Sequence, residues 1–141
     1  MPAPSFGDAA LPASAATRAG AERARRLEVA FLEGVRARLP RHPAVIESLG
    51  CLYTEMGRYQ EGLAADREMV KIQPGSPTAW YNLACSLALT GQTDDAFAAL
   101  ERAVALGYDD AEWLRTDDDL ALIRTDARFV RILAQLAART G

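Results

Sequence analysis

The sequence predicts an all-α chain built from a repeated helix pair, and three observations carry that prediction. Apolar residues recur at three- and four-residue spacing along most of the chain, and no stretch alternates convincingly with period two. Glycine or proline stands at every expected helix end, where a left-handed residue or a missing N–H is tolerated. Residues 43–76 also lie over residues 77–110 with an offset of 34, which pairs Pro43 with Pro77, Leu49 with Leu83, Cys51 with Cys85, Gly57 with Gly91, Ala64 with Ala98, Ala65 with Ala99 and Val70 with Val104. Pro40 and Pro74 precede those repeats in the same register. Chance matches in an Ala- and Leu-rich chain would not align the breakers.

Each element follows from its residues. Positions 1–16 hold Pro2, Pro4 and Pro12 with no periodicity, the composition of a disordered tail. Thr17 is an N-cap candidate for a leading helix, 17–39, with Leu27, Phe31, Leu32 and Val35 as its expected apolar stripe, ended by Pro40. The first repeat, 43–76, has one helix with Val45, Ile46, Leu49, Leu52, Tyr53 and Met56 ahead of Gly57, and a second that stops at Pro74-Gly75. The second repeat, 77–110, is divided by Gly91 and closed by Gly107. The last segment, 111–139, does not repeat cleanly. Its Phe129, Val130, Ile132, Leu133 and Leu136 form a final apolar stripe, with one or two single-turn helices expected near 110–123 and seven or eight helices in all.

With 141 residues, half of them hydrophobic, the chain suffices for one globular domain. No run approaches the roughly 18 apolar residues of a membrane span, so no membrane insertion is expected. Two cysteines are too few for a disulfide framework, which points to a cytoplasmic protein. Charge is uneven: residues 1–42 hold seven arginines against four acids, and residues 43–108 hold four bases against eight acids. The one basic cluster, Arg18, Arg23, Arg25 and Arg26, is interleaved with Glu22 and Glu28 as on a solvated helix face, so no nucleic-acid partner is expected. A single His42 in a turn, with no phosphate loop, no Cys-x-x-Cys and no His/Glu ligand motif, leaves no catalytic residue, metal site or cofactor to propose. Asp117-Asp118-Asp119, with Asp109, Asp110 and Asp126 nearby, lacks the spacing of a calcium loop and fits helix capping.

The motif Ile46-x-x-Leu49-Gly50-x-x-Tyr53 with Pro74, followed by Trp80-x-x-Leu83-Ala84-x-x-Leu87 with Ala96, Leu100 and Ala103, resembles the tetratricopeptide repeat family. Gly62 departs from the usual small alanine, and Asp66 stands where an aromatic is usual. The resemblance implies a short right-handed α-solenoid of antiparallel helix pairs, with 111–139 as a degenerate capping repeat of the kind seen in small bacterial members. It also implies a non-catalytic adaptor that binds a protein or peptide in a concave groove. The groove positions carried over are Glu47, Ser48, Cys51, Thr54 and Glu55 in the first repeat, and Thr78, Tyr81, Asn82, Cys85 and Leu89 in the second. Members that clamp a C-terminal carboxylate use Lys and Asn on the first helix, but Glu47 and Cys51 stand there, and Glu112 replaces a third-helix Lys. A neutral to basic partner suits such a groove better. The alternatives are a tetratricopeptide chaperone of a secretion or membrane-complex system, or a self-assembling structural module. Trp80 is expected to pack between its own partner helix and the preceding repeat, and Asp66 to reach a polar group on the following helix, with Tyr81 or Asn82 as candidates.

Overall fold

The computed structural model describes residues 15–140, and these contain seven α-helices, one 3-10 helix and no strand. The helices are α1 (Ala15–Arg38), α2 (Pro43–Glu55), α3 (Tyr59–Ile72), α4 (Pro77–Leu89), α5 (Thr93–Ala105), α6 (Ala111–Thr116) and α7 (Ala127–Thr140), with the 3-10 helix at Asp118–Ile123 between the last two. Every expected break falls between helices. The expected N-terminal tail lies outside the described residues up to position 14. Thr17 is inside α1, which begins two residues earlier than its expected cap.

The repeat is visible in the backbone hydrogen bonds that end the helices. Gly57, Gly91 and Gly107 all have positive φ (74°, 77° and 110°). At each, the following residue reaches five positions back: Arg58 N–H donates to Tyr53 O, Gln92 N–H to Leu87 O, and Tyr108 N–H to Ala103 O, at 2.8–2.9 Å. The glycine N–H donates three positions back in every case, to Thr54, Ala88 and Val104. This paired closure needs a left-handed residue at the turn. Helix starts are set by Pro43 and Pro77 at the first turn and by the Ser76 hydroxyl, which accepts from Ala79 N–H at 3.2 Å.

Each of α1 to α4 packs on the next, and α5 meets α7. Ile46, Ala65, Met69 and Ala79 fill the space between α2, α3 and α4. The larger core lies further along, where Phe97 and Leu100 of α5 meet Leu114, Leu120, Ile123, Phe129, Ile132 and Leu136 of the C-terminal segment. Arg128 ties α7 to α5: it pairs with Asp126 (3.0 Å) and Asp94 (2.8 Å) and lies 4.3 Å above the Phe97 ring. Val130 does not join this core and is exposed, while Leu133 is half-buried.

One further expectation is corrected and one is met. On α1 the buried line runs through Val29, Leu32 and Val35, while Leu27 and Phe31 are 66% and 69% exposed. Two residues along a helix turn its face by about 200°, so Leu27 and Phe31 point away from α2, the neighbour that covers Val29. Trp80 lies where expected, between α5, its own partner helix, and the end of the preceding repeat, and is half-buried there: its Nε1–H donates to Pro74 O at 2.8 Å, and Arg102 of α5 lies 6.0 Å from its ring.

Because a Cβ on Gly91 would meet nothing within 4 Å, Gly91→Ala reports on backbone strain alone. It should lower stability by about 1–2 kcal/mol in denaturant unfolding. Gly75→Ala, equally open but without positive φ, should be neutral or stabilise slightly. Equal effects of the two substitutions would contradict this account of the repeat closure.

Candidate functional site

Helix α4 packs on the 3-10 helix of the C-terminal segment, and between them and α2 lies an open cavity of about 330 Å3. Helix α2 contributes Gly50, Cys51, Thr54 and Glu55, and α3 contributes Asp66. From α4 come Tyr81, Asn82, Cys85 and Ser86; the far wall is Trp113 of α6 with Asp117 and Asp119. Six of the groove residues carried over from the resemblance therefore meet here: Cys51, Thr54, Glu55, Tyr81, Asn82 and Cys85. Glu47 and Thr78 line a neighbouring 220 Å3 cavity that shares Asp66 and Asn82. Ser48 is exposed and Leu89 half-buried, both outside these two cavities.

The close approach of α2 and α3 explains how Asp66 comes to face the cavity. A Cβ on Gly62 would lie 2.9 Å from Thr54 Oγ1, and one on Gly50 3.2 Å from Asp66 Oδ1. Small residues at these contacts let the helices meet where bulk would hold them apart. Asp66, only 8% exposed, accepts a hydrogen bond from the Ser86 hydroxyl at 2.5 Å. The partner is thus on the next first helix, as expected, but it is Ser86, one turn beyond Asn82.

Tyr81 sits deeper than its expected role requires. It is 4% exposed, stacks on Tyr108 with ring centroids 4.5 Å apart, and donates its hydroxyl to Asp117 Oδ2 at 2.5 Å. Asp117, also buried, caps the 3-10 helix by accepting Asp119 N–H at 3.0 Å and receives the Cys85 thiol at 3.7 Å. The capping reading of the aspartates holds at Asp110, which accepts Trp113 N–H, and at Asp126, which accepts Arg128 N–H, both at 2.9 Å. Asp117 adds a tertiary role. The exposed aromatic of the cavity is Trp113, 55% exposed at its edge.

Charge in the cavity has one sign. Burial pushes Asp66 up to about 6, helped by Asp119 and Glu47 and opposed by the Ser86 hydrogen bond. Asp119 is raised by burial and by Asp117 and Asp118. Burial and the neighbouring aspartates push the Cys85 thiol well up, and Cys51 is raised by burial and then by Asp66. A thiol held protonated is a poor nucleophile. Cys85 Sγ and the carboxylates of Asp117 and Asp119 lie within 4.8 Å of one another, but Asp117 already receives the Tyr81 hydroxyl, the thiol and a backbone N–H.

Antiparallel helix pairs repeating every 34 residues, closed alike by Gly57 and Gly91, define an all-α solenoid fold of tetratricopeptide-like helix pairs. Comparison with known proteins agrees: residues 53–116 match the tetratricopeptide repeat family model. A stretch of 89 residues is 30% identical to a chloroplastic protein of Arabidopsis thaliana. That stretch is 61% of this chain and 27% of the plant protein's length. The family match takes in Asp66, Ser86 and Trp113 but stops before Asp117 and Asp119. The sequence singled out Asp66 as a departure from the family pattern; Ser86, Trp113 and the tertiary contacts of Asp117 had no repeat-level signal.

Asp66 binds its proton more tightly folded than unfolded, so its contribution to stability is complete below about pH 4 and declines as pH rises toward about 6. Asp66→Asn removes that decline. The variant should gain on the parent by on the order of 1–3 kcal/mol between pH 4 and pH 7.5, read from denaturant unfolding across pH. Parallel stability–pH curves would contradict the assignment.

Proposed function

We propose that this chain is a protein-interaction module that takes an extended or helical peptide segment of a neutral to basic partner between α2, α4 and the C-terminal segment. The observation that carries the reading is the joining of six groove positions from both repeats, with Trp113, around one cavity of about 330 Å3. That volume is in the range of sites that hold small ligands or side chains, about 300–1,000 Å3. The match of residues 53–116 to the tetratricopeptide repeat model supports a protein partner, since helical repeats use such extended faces for binding. The acidic lining disfavours a partner's terminal carboxylate. No described helix is long and apolar enough to cross a membrane, and two free cysteines suit a reducing, cytoplasm-like compartment.

Because Tyr81 is spent on Tyr108 and Asp117, the accessible contributors are Asn82, Thr54 and Trp113. Peptides selected from a random displayed library against the full chain should shift the amide resonances of Thr54, Asn82 and Trp113 in a nitrogen-15 correlation spectrum. Asn82→Ala should weaken such a peptide by about 5-fold or more at unchanged Tm. Selected peptides whose shifts map to α1 or α7, with Asn82→Ala without effect, would overturn the assignment.

A further inference from the structure

We propose that the outward face of α1 is a self-association surface, on which α1 of a second copy packs antiparallel to give a two-fold symmetric dimer. The proposal stands apart from the peptide site, because no residue of α1 lines that cavity.

Helix α1 turns Val29, Leu32 and Val35 toward α2 and an opposite line of residues to solvent. Along that outward line Gly20, Arg23, Leu27, Ala30, Gly34 and Ala37 recur at alternating steps of three and four, the spacing of a helix that runs along another helix. All six are exposed, and Phe31 beside them is 69% exposed. A solvated helix face ordinarily carries charged and polar side chains. This line has Arg23 alone, with Leu27 and Phe31 forming an exposed apolar patch at its centre. Glycine is a poor helix former, yet Gly20 and Gly34 stand within α1 where a Cβ would meet nothing within 4 Å. The described residues give neither glycine a reason to be small; a helix crossing close above them does.

Charge complementarity selects the occupant and its direction. In a parallel pair Arg23 would face its own copy, and like charges in contact oppose association. In the antiparallel pair Leu27 faces Ala30 of the second copy, Arg23 faces Gly34, and Gly20 faces Ala37. Each larger side chain thus meets a small one. On one flank Phe31 lies against Ala24 of the second copy. On the other Arg26 comes beside Glu33 of the second copy, and the two-fold axis repeats that opposite-charge pair. Arg26 is exposed and has no ion pair among the described residues. Glu33 is exposed as well, and its Oε1 accepts the Tyr53 hydroxyl at 2.6 Å, which holds the carboxylate at the edge of the seam. The second copy lies across α1 from α2, so the two repeat stacks extend away from each other.

The test is sedimentation velocity of the full chain from micromolar to millimolar concentration, with thermal melts at the dilute end. The parent should pass from monomer to dimer across the range. Leu27→Asp, Arg26→Glu and Glu33→Lys should each weaken the dimer by about 10-fold or more, with Leu27→Asp and Arg26→Glu leaving the dilute Tm unchanged. An equimolar mixture of Arg26→Glu and Glu33→Lys should recover the parent's affinity to within about 3-fold, because both flanking pairs are then opposite in sign. If Glu33→Lys does not fold for want of its Tyr53 contact, Leu27→Asp and Arg26→Glu decide. A chain that stays monomeric throughout overturns the proposal, as does a dimer that Leu27→Asp leaves intact. A monomer whose Leu27 and Phe31 protons show nuclear Overhauser contacts to residues 1–14 overturns it too, and gives the face to the chain's own N-terminal segment. None of these outcomes touches the peptide site, which is read at Thr54, Asn82 and Trp113.

Discussion

The hydrogen bond from Tyr81 to Asp117 is the constraint on which the rest of the site depends. It joins the first helix of the second repeat to a segment that belongs to no regular repeat, across 36 positions of chain. Tyr81 is fixed from the other side by its stack on Tyr108, and Asp117 by the backbone N–H of Asp119. Both groups are buried, where an unmade hydrogen bond leaves the full desolvation cost of its members. The pairing therefore holds the 3-10 helix against α4 and sets Asp119 and Trp113 opposite α2. Without that closure the face between α2 and α4 would be an open surface and not a walled cavity.

The acidic wall has an energetic consequence that the cap offsets. Asp66 stands between packed helices where the tetratricopeptide pattern that the chain resembles has an aromatic, and its neighbours Asp119 and Glu47 share its sign of charge. A sequence optimised for stability alone would place an apolar side chain there. The core that compensates sits beside the site, where Phe97, Leu100, Leu114, Leu120, Phe129 and Leu136 are each at or below 2% exposure. Arg128 covers that core, lying over the Phe97 ring while it pairs with Asp94 and Asp126. Like-charge crowding at the cavity and dense packing next to it are thus parts of one arrangement.

Much of the fold was legible because helix boundaries are written in residue types with narrow conformational roles. Gly57, Gly91 and Gly107 had to be left-handed turns, and Pro43 and Pro77 could start helices but not sit within them, so every break was located from sequence. The face of α1 was not legible. A helix with one described neighbour buries a narrow line, and both Leu27-Phe31 and Val29-Leu32-Val35 satisfy helical spacing. The site was legible only where the repeat repeats. Cys51, Thr54, Glu55, Tyr81, Asn82 and Cys85, carried over from the resemblance, do line one cavity, but Ser86 as the partner of Asp66 depends on how far α3 and α4 slide past each other. Asp117 and Asp119 show as caps in sequence, and their tertiary contacts come from the non-repeating segment, which no periodicity describes.

The most direct test of the central claim is hydrogen–deuterium exchange of the Tyr81→Phe variant, which removes one hydroxyl and keeps the ring stacked on Tyr108. If the Tyr81–Asp117 bond closes the cavity, amide exchange across Asp118–Ile123 should accelerate by about 5- to 50-fold, the equivalent of roughly 1–2.5 kcal/mol of local opening, while the amides of α2 and α3 exchange as in the parent. Unchanged exchange across Asp118–Ile123, or a uniform acceleration over every helix, would contradict it.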